Sequence, residues 1–384
     1  LPATLMHLGD LAFGNTNVME VKMGGTPGLR DDPNLTLAGN PFAECYGLPI
    51  DPATGVRYET AIENNPRVVV GVGGVVVDDA GQGTEVEDIL VEHLVLPESV
   101  RYICDEGLDL CPEWNKLALL PKTIEVPGPI YRVGSGAIRD GYGLTSITFD
   151  GDVGEVDTKA FTCLSALQSV TFKGDVGVVR GNVFWESLGD LGALEGASCS
   201  LTFEGNVGTI ESLAFDGNVL YEDWGYNPLK EYLASVTFGG SVGSIGARAF
   251  RGLAALPTVT FGGTVGPIGD WAFYGCSSLR TVTGCKPESL GVGAFYGCSA
   301  LTGAPDLSRV AEVPTEAFRG CTALTEVTLA DAVTLGENAF YGCAKLTGLK
   351  TASGGDPTVT LAPFVFYECA ALTGVTLDPA TTEI

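Results

Sequence analysis

Along most of the chain the apolar residues fall into short clusters that recur in one order. The stretches ITFDGDVGEVDTKAF (Ile147–Phe161), VTFKGDVGVVRGNVF (Val170–Phe184), LTFEGNVGTIESLAF (Leu201–Phe215), VTFGGSVGSIGARAF (Val236–Phe250) and VTFGGTVGPIGDWAF (Val259–Phe273) share it. Each opens apolar–Thr–apolar, a period of two that predicts a strand with its apolar residues inward and its Thr outward. A Gly-containing corner follows, where a side chain would clash or the chain must turn sharply. A second short extended piece comes next, and a compact turn around "AF" closes the unit.

The apolar residue of that turn anchors a ladder: Ile138, Phe161, Phe184, Phe215, Phe250, Phe273, Phe295, Phe318, Phe340 and Phe366. Its gaps are 23, 23, 31, 35, 23, 22, 23, 22 and 26. The words around it are nearly identical. AFYGC stands at Ala272–Cys276, Ala294–Cys298 and Ala339–Cys343, and AFRGC at Ala317–Cys321. A period in the low twenties is the mark of a solenoid. One coil cannot bury its own apolar face, so its neighbours must repeat it, and the anchors are expected to stack as one buried column.

The unit resembles the BspA-like, or Treponema pallidum-type, leucine-rich repeats of bacterial surface proteins. Cys276-Ser277-Ser278-Leu279-Arg280-Thr281-Val282 and Cys321-Thr322-Ala323-Leu324-Thr325-Glu326-Val327-Thr328-Leu329 carry the likeness. It extends to Leu8-Gly9-Asp10-Leu11-Ala12-Phe13 with a following strand at Val18–Met23, to Asn40-Pro41-Phe42-Ala43-Glu44-Cys45, and to Leu94–Cys111 with Leu108 in the Phe place. Asn65–Gly83 resembles a hairpin insertion of this family. The expectation is a single β-rich leucine-rich-repeat solenoid over 1–384, in the α/β horseshoe class with little regular helix. About thirteen repeats of 22–23 residues are expected: degenerate over 1–130, with an insertion at 46–92, and regular over 131–384. The resemblance implies a secreted or surface-held, extracellular bacterial module that binds a partner in adhesion, either a host matrix component or another cell. The alternative is a passive spacer that displays other domains.

Charge narrows the partners. The balance 21 − 47 gives −26, which repels nucleic acid and anionic lipid. Such a surface serves solubility, calcium binding or a basic partner. No apolar run reaches the length of about 18 residues that a membrane span needs, so membrane insertion is not expected. The chain opens at Leu1 without a basic start or an apolar stretch, so any signal peptide is expected to have been removed.

Of the 11 cysteines, Cys45, Cys111, Cys276, Cys298, Cys321, Cys343 and Cys369 lie three residues after an anchor, and Cys163 lies two after. Cys104, Cys199 and Cys285 fall elsewhere. Repeat position therefore dictates most of them, and they are expected to be free, buried thiols packed as small apolar groups. Thiols stacked in parallel do not easily reach the torsion of a disulfide.

Catalytic chemistry is poorly supplied. His7 and His93 are the only histidines, and neither GxSxG nor HExxH occurs in the sequence. GVGGVV (Gly71–Val76) lacks the third Gly of a dinucleotide loop and reads as part of the hairpin. DGDVGEVD (Asp150–Asp157) has Gly154 at the fifth ligand place of a calcium loop and Glu155 at its glycine place. No enzyme activity, catalytic residue, metal or cofactor is expected.

Three surface features follow from stacking the repeats. Thr148, Thr171, Thr202, Thr237, Thr260, Thr283, Thr328 and Thr376 should form a column on the strand face, as binding residues or simply as good exposed strand formers. The residues just after the anchors, Arg251, Tyr274, Tyr296, Arg319, Tyr341 and Tyr367, should form a stripe of the residue types that carry binding energy, or else cover the edges of their own coils. The long gaps after Phe184 and Phe215 carry loops with Trp185, Tyr221, Trp224, Tyr226 and Tyr232, which either meet a partner or fold back on their coils. The arc from Trp185 to Trp271 is the expected partner surface, for an unidentified protein or glycan ligand of a monomer.

Overall fold

The computed structural model describes residues 121–185, 198–217 and 229–377, together with Leu110 and short strands earlier in the chain. They form two compact units, Leu1–Asp175 with Val183–Ala197 and Val176–Asn182 with Ser198–Ile384. Phe13, Val18–Met23, Phe42, Cys45, Cys104 and Cys111 lie outside the described residues.

In the first unit each regular coil supplies three strands, and each strand pairs in parallel with its counterpart in the next coil. The first side holds His93–Val95, Thr123–Val126, Ser146–Phe149 and Ser169–Phe172. The second holds His7–Leu8, Thr36–Leu37, Tyr102–Ile103, Ile130–Val133 and Val153–Val156. The third holds Leu108–Asp109, Ile138–Arg139, Phe161–Thr162 and Phe184–Trp185. Leu108 pairs with Ile138 as the repeat predicts, so the unit Leu94–Cys111 is in register. The segment read as a hairpin holds the first strand of one, Val75–Val77, which runs antiparallel to Gly83–Glu85 at and just past its end.

Alternation dictates what is buried. Ile147, Phe149, Val170 and Phe172 are buried, whereas Thr148 and Thr171 between them are half-exposed. Phe149 and Phe172 stack at 4.8 Å with their planes 5° apart. On the third side Phe161 lies against Phe184 at 5.2 Å, tilted by 36°. The carboxylates of Asp150–Asp157 are engaged at the corners: Asp150 with Lys173, Asp152 with the Asp175 amide, and Asp157 with Arg132.

The second unit keeps the first two sides and changes the third. Thr202, Thr237, Thr260 and Thr283 align rung by rung on the first side. On the second side the Gly of "VG" lies against the coil beneath. A Cβ at Gly243 would stand 2.2 Å from the Gly208 carbonyl oxygen, so no other residue fits. The third side is a turn. The amides two before, at and two after each anchor donate to the next coil, as in Trp271 to Val292, Phe273 to Ala294 and Gly275 to Tyr296. The Gly of AFxGC adopts φ of 71° to 75° at Gly275, Gly297, Gly320 and Gly342, which is why Gly stands there.

The anchor column is continuous in this unit. Phe215, Phe250, Phe273, Phe295, Phe318 and Phe340 are buried and stack at 5.0–5.3 Å. Beside them runs a file of thiols. Cys276, Cys298, Cys321, Cys343 and Cys369 each donate from Sγ to the carbonyl of the anchor Phe one coil back, at 3.0–3.2 Å. These five, with Cys199 and Cys285, are free and buried. Burial pushes Cys199, Cys276 and Cys285 up to about 12 and Cys298, Cys321 and Cys343 well above the ordinary thiol range.

Two expectations need correction. Phe366 stacks on Phe340 at 5.9 Å but is only half-buried, because no described coil covers its other face. Thr376 leaves the Thr column and pairs with Thr358 on the second side. The extra corner at Ser353–Gly355, held by Thr351, lengthens that coil, and beyond it Phe366 and Cys369 are back in register on Phe340. An open cleft of about 400 Å³ remains beside Gly348 and Gly374. Among the described residues the single helix is Leu229–Tyr232, and none is long and apolar enough to cross a membrane.

Candidate binding surface

From Arg251 onward the turn that holds each anchor Phe inward sends the next side chain outward, whereas Asp216 at the same offset is buried. Equal offsets on successive coils place these side chains in one file: Asp216, Arg251, Tyr274, Tyr296, Arg319, Tyr341 and Tyr367. At one end Arg251 forks onto the buried carboxylate of Asp216 at 2.6 and 3.0 Å. Tyr274 and Tyr296 follow with ring centroids 5.1 Å apart. The Arg319 guanidinium lies 5.6 Å from the Tyr296 ring and 4.6 Å from that of Tyr341, a cation sandwiched between aromatic faces. Glu316 accepts from Arg319 at 2.6 Å, which holds the guanidinium above its ordinary pKa. Tyr341 and Tyr367 stack at 5.0 Å, and Tyr367 is 51% exposed. Tyr274, Tyr296, Arg319 and Tyr341 are half-exposed. Among the described residues no protein group hydrogen-bonds the hydroxyls of Tyr274, Tyr296, Tyr341 or Tyr367.

Trp271 joins the file from the position two before its anchor. A Cβ on Gly293 would stand 2.4 Å from Cε3 and Cζ3 of Trp271, so the absent side chain makes room for that indole. The ring meets Tyr274 at 5.5 Å and 73°, and Tyr296 at 5.8 Å and 51°. Phe364 holds the same offset in the last described coil, is 60% exposed, and meets Tyr367 at 79°. Sequence reasoning missed Phe364, although the offset it shares with Trp271 was the available signal.

The predicted loop residues are not brought into this file. Tyr221, Trp224 and Tyr226 lie outside the described residues, as does the side chain of Trp185. Tyr232 stands at the end of the helical turn Leu229–Tyr232 and is half-buried, not on a loop tip.

The BspA type leucine rich repeat region matches this chain in six copies, over residues 87–221, 229–347 and 288–384. The chain belongs to the BspA-type leucine-rich-repeat family. Similar solved structures include a leucine rich cell surface protein from Faecalibacterium prausnitzii, at 19% identity over 82% of this chain and 95% of that one, with a TM-score of 0.30. A leucine-rich repeat protein from Bacteroides ovatus shares 19% over 68% and 77%, with a TM-score of 0.35. The T. pallidum leucine rich repeat protein shares 22% over 43% and 82%, with a TM-score of 0.25. At those scores the family assignment rests on the repeat model alone. No curated protein matches the chain.

Proposed function

We propose that this BspA-type chain is an extracellular binding module of a secreted or surface-held bacterial protein, working in adhesion through protein contact and without catalysis. The observation that supports the reading is the file Tyr274, Tyr296, Arg319, Tyr341 and Tyr367. It is a run of outward Tyr and Arg whose Tyr hydroxyls have no partner among the described residues, in the residue types that dominate contact energies. Burying two central rings of such a surface is worth about 2 kcal/mol or more. The aromatic loops around Trp224 and Tyr226 are the second contact region of the proposal.

The test is capture of immobilised host matrix proteins and glycans by the intact chain. Tyr296→Ser with Tyr341→Ser should weaken any capture at least tenfold while the melting temperature holds. Trp224→Ala with Tyr226→Ala reports on the loops in the same assay. A chain that captures nothing is a spacer, and capture that neither pair of changes weakens places the contact on another surface.

A further inference from the structure

Building on that reading of the Tyr/Arg file, we infer that its ligand is a proline-rich, basic polypeptide segment in the polyproline II conformation, laid along the run of coils. The rings lie against one another along the file, Tyr341 and Tyr367 face to face and Tyr274 and Tyr296 inclined by 32°. Tyr274–Tyr296 and Tyr341–Tyr367 are spaced at 5.1 and 5.0 Å, and Arg319 fills the gap between the pairs. What points outward is therefore the hydroxyls and ring edges, which are donors and the positive rim of the aromatic quadrupole. Sugars that bind by laying C–H groups on ring faces are served badly by this arrangement. A ligand that offers a row of free carbonyl oxygens is served well.

A polyproline II helix is such a ligand. It makes no internal hydrogen bonds, so its carbonyls are available, and its stiffness reduces the entropy lost on docking. Its turn advances about 9.3 Å, close to two steps of the file, so alternate rings meet the same side of the ligand. An extended strand repeats its side about every 6.6 Å and falls out of step with the rings. Trp271 and Phe364 stand steeply inclined to the Tyr rings and offer faces to proline rings. The formal charge of −26, with Arg319 already paired to Glu316, favours basic residues between the prolines.

The probe is a labelled peptide of repeated Pro-Pro-Lys, long enough to span the file, against a Gly-Ser-Lys peptide of equal length and charge, followed by fluorescence anisotropy. The proline peptide should bind at least tenfold more tightly. Changing Tyr274, Tyr296, Tyr341 and Tyr367 together to Phe keeps the stack and removes the hydroxyls. That variant should melt as the parent does and bind the proline peptide at least fivefold more weakly. Trp271→Ala should weaken it as well. Equal affinity for the two peptides would reduce the effect to charge and overturn the inference, as would unchanged affinity in the Tyr→Phe variant. If the proline peptide fails while Tyr296→Ser with Tyr341→Ser still abolishes capture of a matrix protein or glycan, the ligand class is wrong and the contact surface stands. If those changes affect nothing, both fall.

Discussion

The coils anchored by Ile138 and Phe161 and those anchored by Phe273 to Phe340 solve one packing problem in two ways. In the first set the site three residues after the anchor differs in size, Gly141 in one coil and Leu164 in the next. Gly141 sits where a Cβ would come within 2.9 Å of Leu110 and 3.0 Å of Leu164, so large neighbours fill the space that the small residue leaves. In the second set every coil places a Cys there, bonded to the carbonyl of the coil before. Mixed sizes fit only in their own order, whereas identical coils can be copied without limit. That is the physical reason for the recurring AFYGC.

The uniform solution has a chemical liability. Each buried thiol is held protonated by loss of hydration, and in the unfolded chain it returns to about 8.5. A folded pKa above the unfolded one means stability is complete below about pH 8.5 and falls as pH climbs toward about 12, where the Cys276 value lies. By about pH 10 each such thiol should have cost about 2 kcal/mol, and several act at once. We expect hydrogen exchange at that pH to show the coils of residues 273–343 losing protection before those of residues 130–172. The reverse order would break the comparison. At neutral pH thiol reagents should find few reactive groups in the folded protein and most of the 11 cysteines after unfolding without reductant.

A smaller effect separates the two columns of rings. Phe318 lies between Phe295 and Phe340, both at 5.3 Å and within 5° of parallel, so Phe318→Ala should cost about 3–5 kcal/mol in denaturant unfolding. Phe161 has an aromatic neighbour in register on one side and Ile138 on the other, and Phe161→Ala should fall about 0.5–1.5 kcal/mol short of that. Equal losses would mean that burial alone matters and ring stacking adds nothing.

Glycines sharpen the contrast further. Gly293 has φ of 59° and lies under Trp271, so Gly293→Ala combines about 1–2 kcal/mol of backbone strain with displacement of the indole. Gly141 meets the movable ends of Leu110 and Leu164 and the fixed Cβ of Leu144 at 3.2 Å, so Gly141→Ala should cost about 1–3 kcal/mol by overpacking alone. A fall in Trp271 fluorescence polarisation in the first variant alone would identify the indole as the part that moves.

Much of this was legible in the chain because a solenoid turns sequence offset directly into spatial offset. The Phe column, the buried cysteines and the file after the anchors all follow from counting. What counting could not show is how atoms of successive coils meet. Trp271 over Gly293 joins the position two before one anchor to the same place one coil on, and only the missing Cβ reveals it. The S–H donation from each cysteine to the previous Phe carbonyl is a cross-coil contact of the same kind. Thr376 was misplaced although Phe366 and Cys369 before it keep their register on Phe340; the period carries no signal of the change of side that follows that anchor. Tyr232 shows the same limit, since a period says nothing about an insertion's internal fold.

The smallest expected difference lies on the surface. Lys173 pairs with Asp150 at 2.6 Å, and Lys350 with Glu326 at 2.8 Å, each across one step between coils. Isolated exposed pairs contribute about 0–1 kcal/mol, so Lys350→Met should cost less than about 0.5 kcal/mol at pH 7. Lys173 does more, because Glu125 of the coil before faces Asp150. Partial burial and then that contact raise the Glu125 pKa, and Lys173 works against the rise. Removing Lys173 leaves two carboxylates facing each other without their shared cation. Lys173→Met should therefore cost visibly more than Lys350→Met at pH 7. The gap should close as acid protonates Glu125, because the repulsion exists only when both groups are charged. High salt should shrink it as well. Unfolding curves of the two variants at pH 7 and at acid pH decide the matter. Equal, pH-independent costs would show that the two coil sets do not differ at their surface and that their contrast is confined to the core.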